Sequence, residues 1–401
     1  MDNHGAYFFG RFLDRVEGEA PGGGLGRLAG QLGRGGGPNL ELAGPGVSIR
    51  APGPIGQTRP LSSASLGSWG VLTYRRGPES DPFGYIFRSA RWLRDYDPPG
   101  VFPMWVNLEP TNVCQLDCLF CSRQLSQRPL GFLSLSLAKS LAREIAGSPG
   151  AAIRLTGWGE PLLHPQIREL VEIIKAEGIK LKIYTNGLAL TQELMDAFMD
   201  LEVDDLQFSL QGLTPAQYEA NRVGASYAAL RERIVLASQR RGGREKPFLS
   251  LLTSVLADEL ELADPGIFTQ QWLKLVDKVA VDLTNLNFVG QSPRVRPHLD
   301  RQSPGLKRGR CVDVFLALEV KYDGAIQFCG QDAQGRAEHT IGYAPALSLG
   351  EAWRGEALER HREAVGRNLG HAAFEVCRNC YHNTTKYDLF QKSLANSEAA
   401  Q

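Results

Sequence analysis

From residue 103 onward, apolar and polar positions follow two rhythms that take turns. The runs "FPMWVNLEPT", "AAIRLTGWGE", "KLKIYTNG", "DDLQFSLQG", "FLSLLTSVLAD" and "VDLTNLNFVG" have the apolar, β-branched and aromatic content of strands. Helical spacing separates them, first over residues 134–148 ("SLSLAKSLAREIAGS") and then in "HPQIRELVEIIKAEG". In the second of these Ile167, Leu170, Val171 and Ile174 share one face. "TQELMDAFMDL", "SYAALRERIVLASQRRGG" and "FTQQWLKLVDKV" continue the pattern. Six strand–helix units predict an α/β fold with parallel strands wound right-handedly, a partial (β/α)6 barrel too short to close as an eight-fold one.

The rhythm is absent at both ends. Residues 17–66 are rich in Gly, Pro, Ala and Ser and poor in large apolar side chains, which predicts a flexible extension over 1–80. Its "GLGRLA" fits a dinucleotide fingerprint in letters only, because no strand precedes it. "YIFRSARWLRDY" reads as an amphipathic helix, so 81–102 is expected to lead into a core at 103–300. A smaller α+β domain is expected over 305–390 and a tail over 391–401. Lys and Arg (44) balance Asp and Glu (44), which gives no reason to expect nucleic acid or an anionic membrane as partner. With no apolar run of membrane-spanning length, a soluble, cytoplasmic protein is the expectation.

Chemistry enters with the seven cysteines, an odd number that excludes a complete disulfide set. Three fall within "TNVCQLDCLFCSRQ" as Cys114, Cys118 and Cys121. Four come late: Cys311, Cys329, Cys377 and Cys380. In a reducing compartment such grouping favours metal over disulfides. Three thiolates on one loop can hold three irons of a [4Fe–4S] cubane and leave one iron open; zinc completed by a distant ligand is the competing reading. In the later set "YDGAIQFC" reads as a hairpin that turns at Asp323-Gly324 and returns Cys329 toward Cys311. Four thiolates in two pairs suit a zinc ribbon as well as a cluster.

The C-x3-C-x2-C loop after a first strand, with Phe120 before the last cysteine, resembles the signature of the radical S-adenosylmethionine (SAM) superfamily. The resemblance extends over roughly residues 101–300. "TGWGEP" looks like that family's glycine-rich motif, with Gly157 and Gly159 allowing close backbone approach and Glu160 accepting from an ammonium group. "TNG" and "SLQG" match its third and fourth strand ends, which makes Asn186 and Ser209 candidate SAM contacts. Arg222 resembles an arginine that pairs with the methionine carboxylate in some relatives, while a solvated helix arginine is the plain alternative. Family membership implies SAM bound at the open iron and reductively cleaved to a 5′-deoxyadenosyl radical. It also implies an electron donor such as flavodoxin or ferredoxin.

Behind such a core the late cysteines resemble a twitch extension, a short relative of the SPASM domain that holds one auxiliary [4Fe–4S] cluster. Their spacing is similar to that of 2-deoxy-scyllo-inosamine dehydrogenase and differs from the three-cysteine set of molybdenum-cofactor cyclases. The resemblance implies a sugar or aminocyclitol substrate, with a peptide substrate as the alternative and a zinc-stabilised binding protein as the rival from another class. No residue stands out as a substrate base; Tyr381, His382 and Asp332 merely lie near the late cysteines.

Overall fold

The computed structural model describes residues 102–148, 150–256, 259, 263–284, 311, 313–366, 369–377 and 380, with segments 42–44, 47–50, 70–75 and 81–83 before them. In chain order the strands are β1 (Leu42–Gly44), β2 (Val47–Arg50), β3 (Gly70–Tyr74), β4 (Trp105–Leu108), β5 (Asp117–Cys118), β6 (Ala152–Leu155) and β7 (Lys180–Thr185). Then come β8 (Asp205–Gln211), β9 (Arg222–Val223), β10 (Phe248–Val255), β11 (Lys278–Leu283), β12 (Ala317–Val320), β13 (Ala325–Gln327) and β14 (Thr340–Tyr343). The main helices are α1 (Leu135–Ala146), α2 (Ile167–Ala176), α3 (Gln192–Asp200), α4 (Pro215–Asn221), α5 (Tyr227–Arg241), α6 (Pro265–Trp272), α7 (Leu349–Arg354) and α8 (Glu356–Gly366).

The six expected strands, β4, β6, β7, β8, β10 and β11, lie side by side in chain order and pair in parallel. A helix connects every pair, as a parallel register requires. Side-chain hydroxyls of Ser134, Thr191 and Ser226 cap α1, α3 and α5 by accepting from the backbone three residues on. Beyond β4 the sheet continues into the second domain. There β12 pairs parallel with β4, and the β12–β13–β14 meander is antiparallel.

Strand alternation gives the sheet two unlike faces. Val106, Leu108, Ile153, Leu155, Leu181, Ile183, Leu206, Phe208, Leu249 and Leu251 join the helices in one apolar core. The other face carries Asn107, Arg154, Lys182, Tyr184, Gln207, Ser209, Gln211, Ser250 and Ser254. Charges there are matched in place. Lys182 Nζ donates to Asp205 Oδ2 (2.7 Å), Ser250 Oγ to Asp205 Oδ1 (2.6 Å) and Lys278 Nζ to Asp81 Oδ2 (2.6 Å). Phe83, buried, stacks on Trp105 at 5.5 Å, and with Met104, Ala152, Leu316 and Ala317 it makes a second apolar cluster at the N-terminal end of the strands. One end of this polar face is thereby closed.

Several expectations change. The sixth strand begins at Lys278, so "KVA" belongs to the strand and the preceding helix stops at Trp272. Parallel pairing with β10 from Ser250↔Lys278 onward accounts for the shift, because tertiary pairing overrides local helical spacing. The short helix α4, opened by a Thr214–Gln217 capping box, was not expected. Inside the stretch read as flexible, β3 pairs antiparallel with β11, and β2 pairs with β3. The expected lead-in helix at 85–96 lies outside the described residues; Asp81–Phe83, just before it, is not helical.

Candidate functional site

β4 runs out into a stem, Glu109 to Asn112, from which the cysteine loop departs. The loop's return is tied to that stem. Thr111 Oγ1 donates to Gly131 O (2.6 Å), Asn112 Nδ2 to Pro129 O (2.8 Å), and Gly131 N to Asn112 Oδ1 (2.9 Å). Between these anchors β5 pairs antiparallel with β9, which sets Cys118 opposite Arg222. Arg222 is therefore brought to the cysteine loop, and its buried Nε has no hydrogen-bond partner among the described residues.

The glycine motif docks on the same stem. Gly157 has φ +145°, and a Cβ there would lie 2.7 Å from Glu109 Cγ. On Gly159 a Cβ would lie 2.2 Å from Thr111 O, and Glu160 N donates to Val113 O (2.8 Å). The close approach these glycines allow is thus to the stem of the cysteine loop, Gly157 to the Glu109 side chain and Gly159 to the Thr111 backbone.

Glu160, buried, ties its own loop to the end of the next strand, β7. Its Oε1 accepts from Leu162 N (3.1 Å) and Thr185 Oγ1 (2.6 Å), and its Oε2 accepts from Asn186 N (2.7 Å). Burial lifts its carboxyl above the usual range, and these three donors oppose that rise. Asn186 Oδ1 accepts from Gln115 Nε2 (3.1 Å), while Asn186 Nδ2 donates to Gln115 Oε1 (3.3 Å) and lies 4.0 Å from Cys114 Sγ. A polar chain therefore runs from Glu160 through Asn186 and Gln115 to Cys114. Ser209 stands apart on the polar face of β8, opposite Leu252. Gln115 was missed in the sequence because nothing local distinguishes it from any other loop amide.

None of the seven cysteines is in a disulfide. Burial pushes the Cys114 and Cys118 thiols up and takes Cys121 to about 11, while Arg123 draws all three down and Arg222 also acts on Cys118. The later four converge. Gly324 (φ +88°) turns the β12–β13 hairpin and returns the chain to Cys329, as expected. Cys377 and Cys380 come after α8 and a further short helix (Gly370–Ala373), Cys377 closing a 3-10 turn that begins at Glu375 and Cys380 N donating to Cys377 O (3.2 Å). Burial raises Cys311 and Cys329 and takes Cys377 to about 12, and each is raised further by others of the four, so these thiols are neighbours. Two nitrogens face the sulfurs: Gln331 N donates to Cys329 Sγ (3.4 Å), and His361 Nε2 lies 3.5 Å from Cys377 Sγ.

The donor sets fit iron–sulfur clusters. Thiolates are the cluster ligands, and buried thiols with raised pKa values deprotonate favourably only toward a strong cation. Among the described residues no three His, Cys, Asp or Glu side chains converge tightly enough for a single metal ion.

Glu109 joins the two cysteine regions, and the sequence reading passed over it. Arg128 Nη1 and Nη2 donate to its two oxygens (3.2 and 2.6 Å), Trp158 N donates to Oε1 (3.3 Å) and Tyr322 N to Oε2 (3.4 Å). One buried carboxylate thus holds the cysteine loop, the glycine motif and the β12–β13 turn. The Arg128 guanidinium also lies over the Tyr322 ring at 5.0 Å, and Tyr322 Oη donates to Pro129 O (2.6 Å).

Comparison with known proteins agrees with this organisation. Residues 108–255 match the radical SAM superfamily, and residues 311–381 match SPASM, an iron–sulfur cluster-binding domain. GTP 3′,8-cyclase from Chlorobaculum tepidum is 38% identical over 127 residues, 31% of this chain and 38% of that protein. The tungsten-containing aldehyde ferredoxin oxidoreductase cofactor-modifying protein of Pyrococcus furiosus is 32% identical over 114 residues, 28% of this chain and 32% of its own. Mycofactocin maturase MftC of Mycobacterium tuberculosis is 30% identical over 125 residues, 31% of this chain and 32% of its own. The matched part spans about a third of the length of these relatives. Among solved structures, tagged anSMEcpe with bound AdoMet superposes with a TM-score of 0.50 at 13% identity, over 73% of this chain and 92% of that one. That likeness concerns the fold alone. No helix among the described residues is long and apolar enough to cross a membrane. The chain carries a radical SAM domain, of the kind that binds a [4Fe–4S] cluster and SAM, followed by an iron–sulfur cluster-binding domain of the SPASM/twitch type.

Proposed function

We propose that the chain is a radical SAM enzyme acting on a small polyol, of the sugar or aminocyclitol type. In this reading the core spans about 103–300 and the auxiliary domain about 305–390. Cys114, Cys118 and Cys121 hold the SAM-binding cluster, and Cys311, Cys329, Cys377 and Cys380 hold the auxiliary one. The observation that carries it is the division of thiols: three on a loop at the strand ends beside Glu160, Asn186 and Arg222, and four gathered in the second domain. Bound there, the groups supply reductive SAM cleavage, hydrogen abstraction by the adenosyl radical and an acceptor for the substrate's electron.

The chain's own residues prepare that chemistry. Arg222, with its unpartnered Nε beside Cys118, is the candidate for the methionine carboxylate. Glu160 has three donors on about four acceptor positions and can take one more, from the methionine ammonium. Gly157 and Gly159 hold the motif against the cysteine loop, Asn186 orders the loop through Gln115, and Ser209 faces the polar side of the sheet as the ribose contact. A flavodoxin or ferredoxin would deliver the electron.

The polar face supports a hydroxyl-rich substrate. Gln207 and Gln211, both more than nine-tenths buried, leave Nε2 and Oε1 respectively without partners among the described residues. A neutral donor and a neutral acceptor suit hydroxyl groups, and the charges beneath them are already paired. The test is to add aminocyclitols, sugar alcohols or peptides to reconstituted protein with SAM and reductant. A polyol should accelerate 5′-deoxyadenosine formation and give a product two hydrogens lighter. Acceleration by peptides alone would overturn the polyol reading in favour of a maturase, in line with relatives named mycofactocin maturase and PqqA peptide cyclase.

A further inference from the structure

His361 lies outside every motif discussed so far. It belongs to α8, is 1% exposed, and presents Nε2 to Cys377 Sγ at 3.5 Å. Its ring is held on two sides, by Phe328 at 4.0 Å between centroids and by Phe374 at 4.5 Å. The next residue fixes the helix itself: Arg362 Nε donates to Val314 O (3.1 Å) and its Nη1 to Trp353 O (2.9 Å). This imidazole is therefore packed against two aromatic rings that also touch each other, which restricts its swing away from the sulfur.

The tautomer follows from what surrounds the ring. The two ring nitrogens stand in different surroundings, Nε2 against the sulfur and Nδ1 away from it. Nδ1 is buried and has no partner among the described residues. A proton there would be an orphaned N–H, the costlier kind of unsatisfied group, and it would turn the bare Nε2 lone pair toward a thiolate. With the proton on Nε2 the ring instead donates an N–H···S hydrogen bond. Hydrogen bonds to the ligand sulfurs are among the factors that set a cluster's reduction potential, because they favour the more electron-rich, reduced state.

We propose that His361 is a positioning residue that donates an Nε2–H···S hydrogen bond to Cys377 and raises the reduction potential of the auxiliary cluster, making it a better electron acceptor. The proposal rests on the assignment of Cys377 as a cluster ligand. It gives this histidine a role in electron acceptance that neither the cysteine spacing nor the family match assigns.

The experiment uses the full-length chain with Cys114, Cys118 and Cys121 replaced by alanine, so that the auxiliary cluster is the one cluster present, and follows its reduction by an EPR-monitored titration. His361→Phe keeps an aromatic ring against Phe328 and Phe374 but removes the N–H. His361→Gln keeps an N–H donor of similar reach. In the phenylalanine variant the ratio of reduced to oxidised cluster at a fixed potential should fall about tenfold, a shift of about 59 mV for a one-electron couple, with iron and sulfide unchanged. Glutamine should restore most of that shift. An unchanged potential in His361→Phe with full iron would overturn the proposal, and so would loss of iron in both variants, which would make the residue structural. A parent protein holding neither iron nor sulfide would instead remove the cluster assignment itself, and the role of His361 with it.

Discussion

Replacing Cys114, Cys118 and Cys121 together with alanine should lower the iron of the reconstituted protein by about four atoms, one cubane, and abolish 5′-deoxyadenosine formation under dithionite. The loss should be partial in iron yet complete in activity because the two thiol groups sit on separate segments. The loop that carries the three is tied at both ends by Thr111 and Asn112 to residues 129–131, none of which is altered. The four later cysteines are gathered by the β12–β13 hairpin and the segment after α8, and the hairpin meets the loop region through Glu109, Arg128 and Pro129, none of which is altered. Small thiol-to-methyl changes at half-buried positions leave that framework standing. Iron quantitation with chromatographic detection of deoxyadenosine checks both parts. Wild-type deoxyadenosine in the triple variant would refute the assignment of the loop.

The second large effect is expected at the Glu109–Arg128 pair. Arg128→Met should destabilise the protein by about 3–5 kcal/mol, because it leaves a buried carboxylate without its cation. Both side chains are nearly inaccessible, at 9% and 2% exposure. Burial disfavours the Arg128 charge, and the Glu109 carboxylate outweighs that penalty and raises the guanidinium's pKa. The two backbone donors from Trp158 and Tyr322 remain in the variant but are neutral and long, at 3.3 and 3.4 Å. Adding Glu109→Gln to Arg128→Met should recover much of the loss, since the uncompensated charge is then gone. Denaturant unfolding of the two variants beside the wild type measures this. Equal stability of all three would show that the pair carries little energy. Because Tyr322 belongs to the second domain, the single variant should also loosen the attachment of the β12–β13 turn to the cysteine loop.

Periodicity and spacing made the six parallel strands, the placement of four motifs at strand ends and the hairpin before Cys329 legible in the sequence. These are consequences of local pattern: apolar alternation, helical faces, and a glycine where positive φ is required. The features that escaped depend on partners far away in the chain. Lys278 and Val279 read as a helix end until β10 supplied a parallel neighbour. Glu109 looked like the polar end of a strand, and nothing near it in sequence signals Arg128, Trp158 and Tyr322 as its donors. Gly157 and Gly159 were recognised from their motif, but the surface they approach is the cysteine loop's stem, which no spacing rule identifies. His361 is one histidine in a charged helix, and only the fold brings it to Cys377.

The central claim is that one chain carries an open cluster that engages SAM and a second, fully ligated cluster. Its most direct test is metal and acid-labile sulfide analysis of the anaerobically reconstituted full-length protein, run together with a SAM cleavage assay. About eight irons and eight sulfides per chain, with 5′-deoxyadenosine formed on addition of reductant, is the expected result. Stoichiometric zinc without sulfide, and no deoxyadenosine, would contradict it.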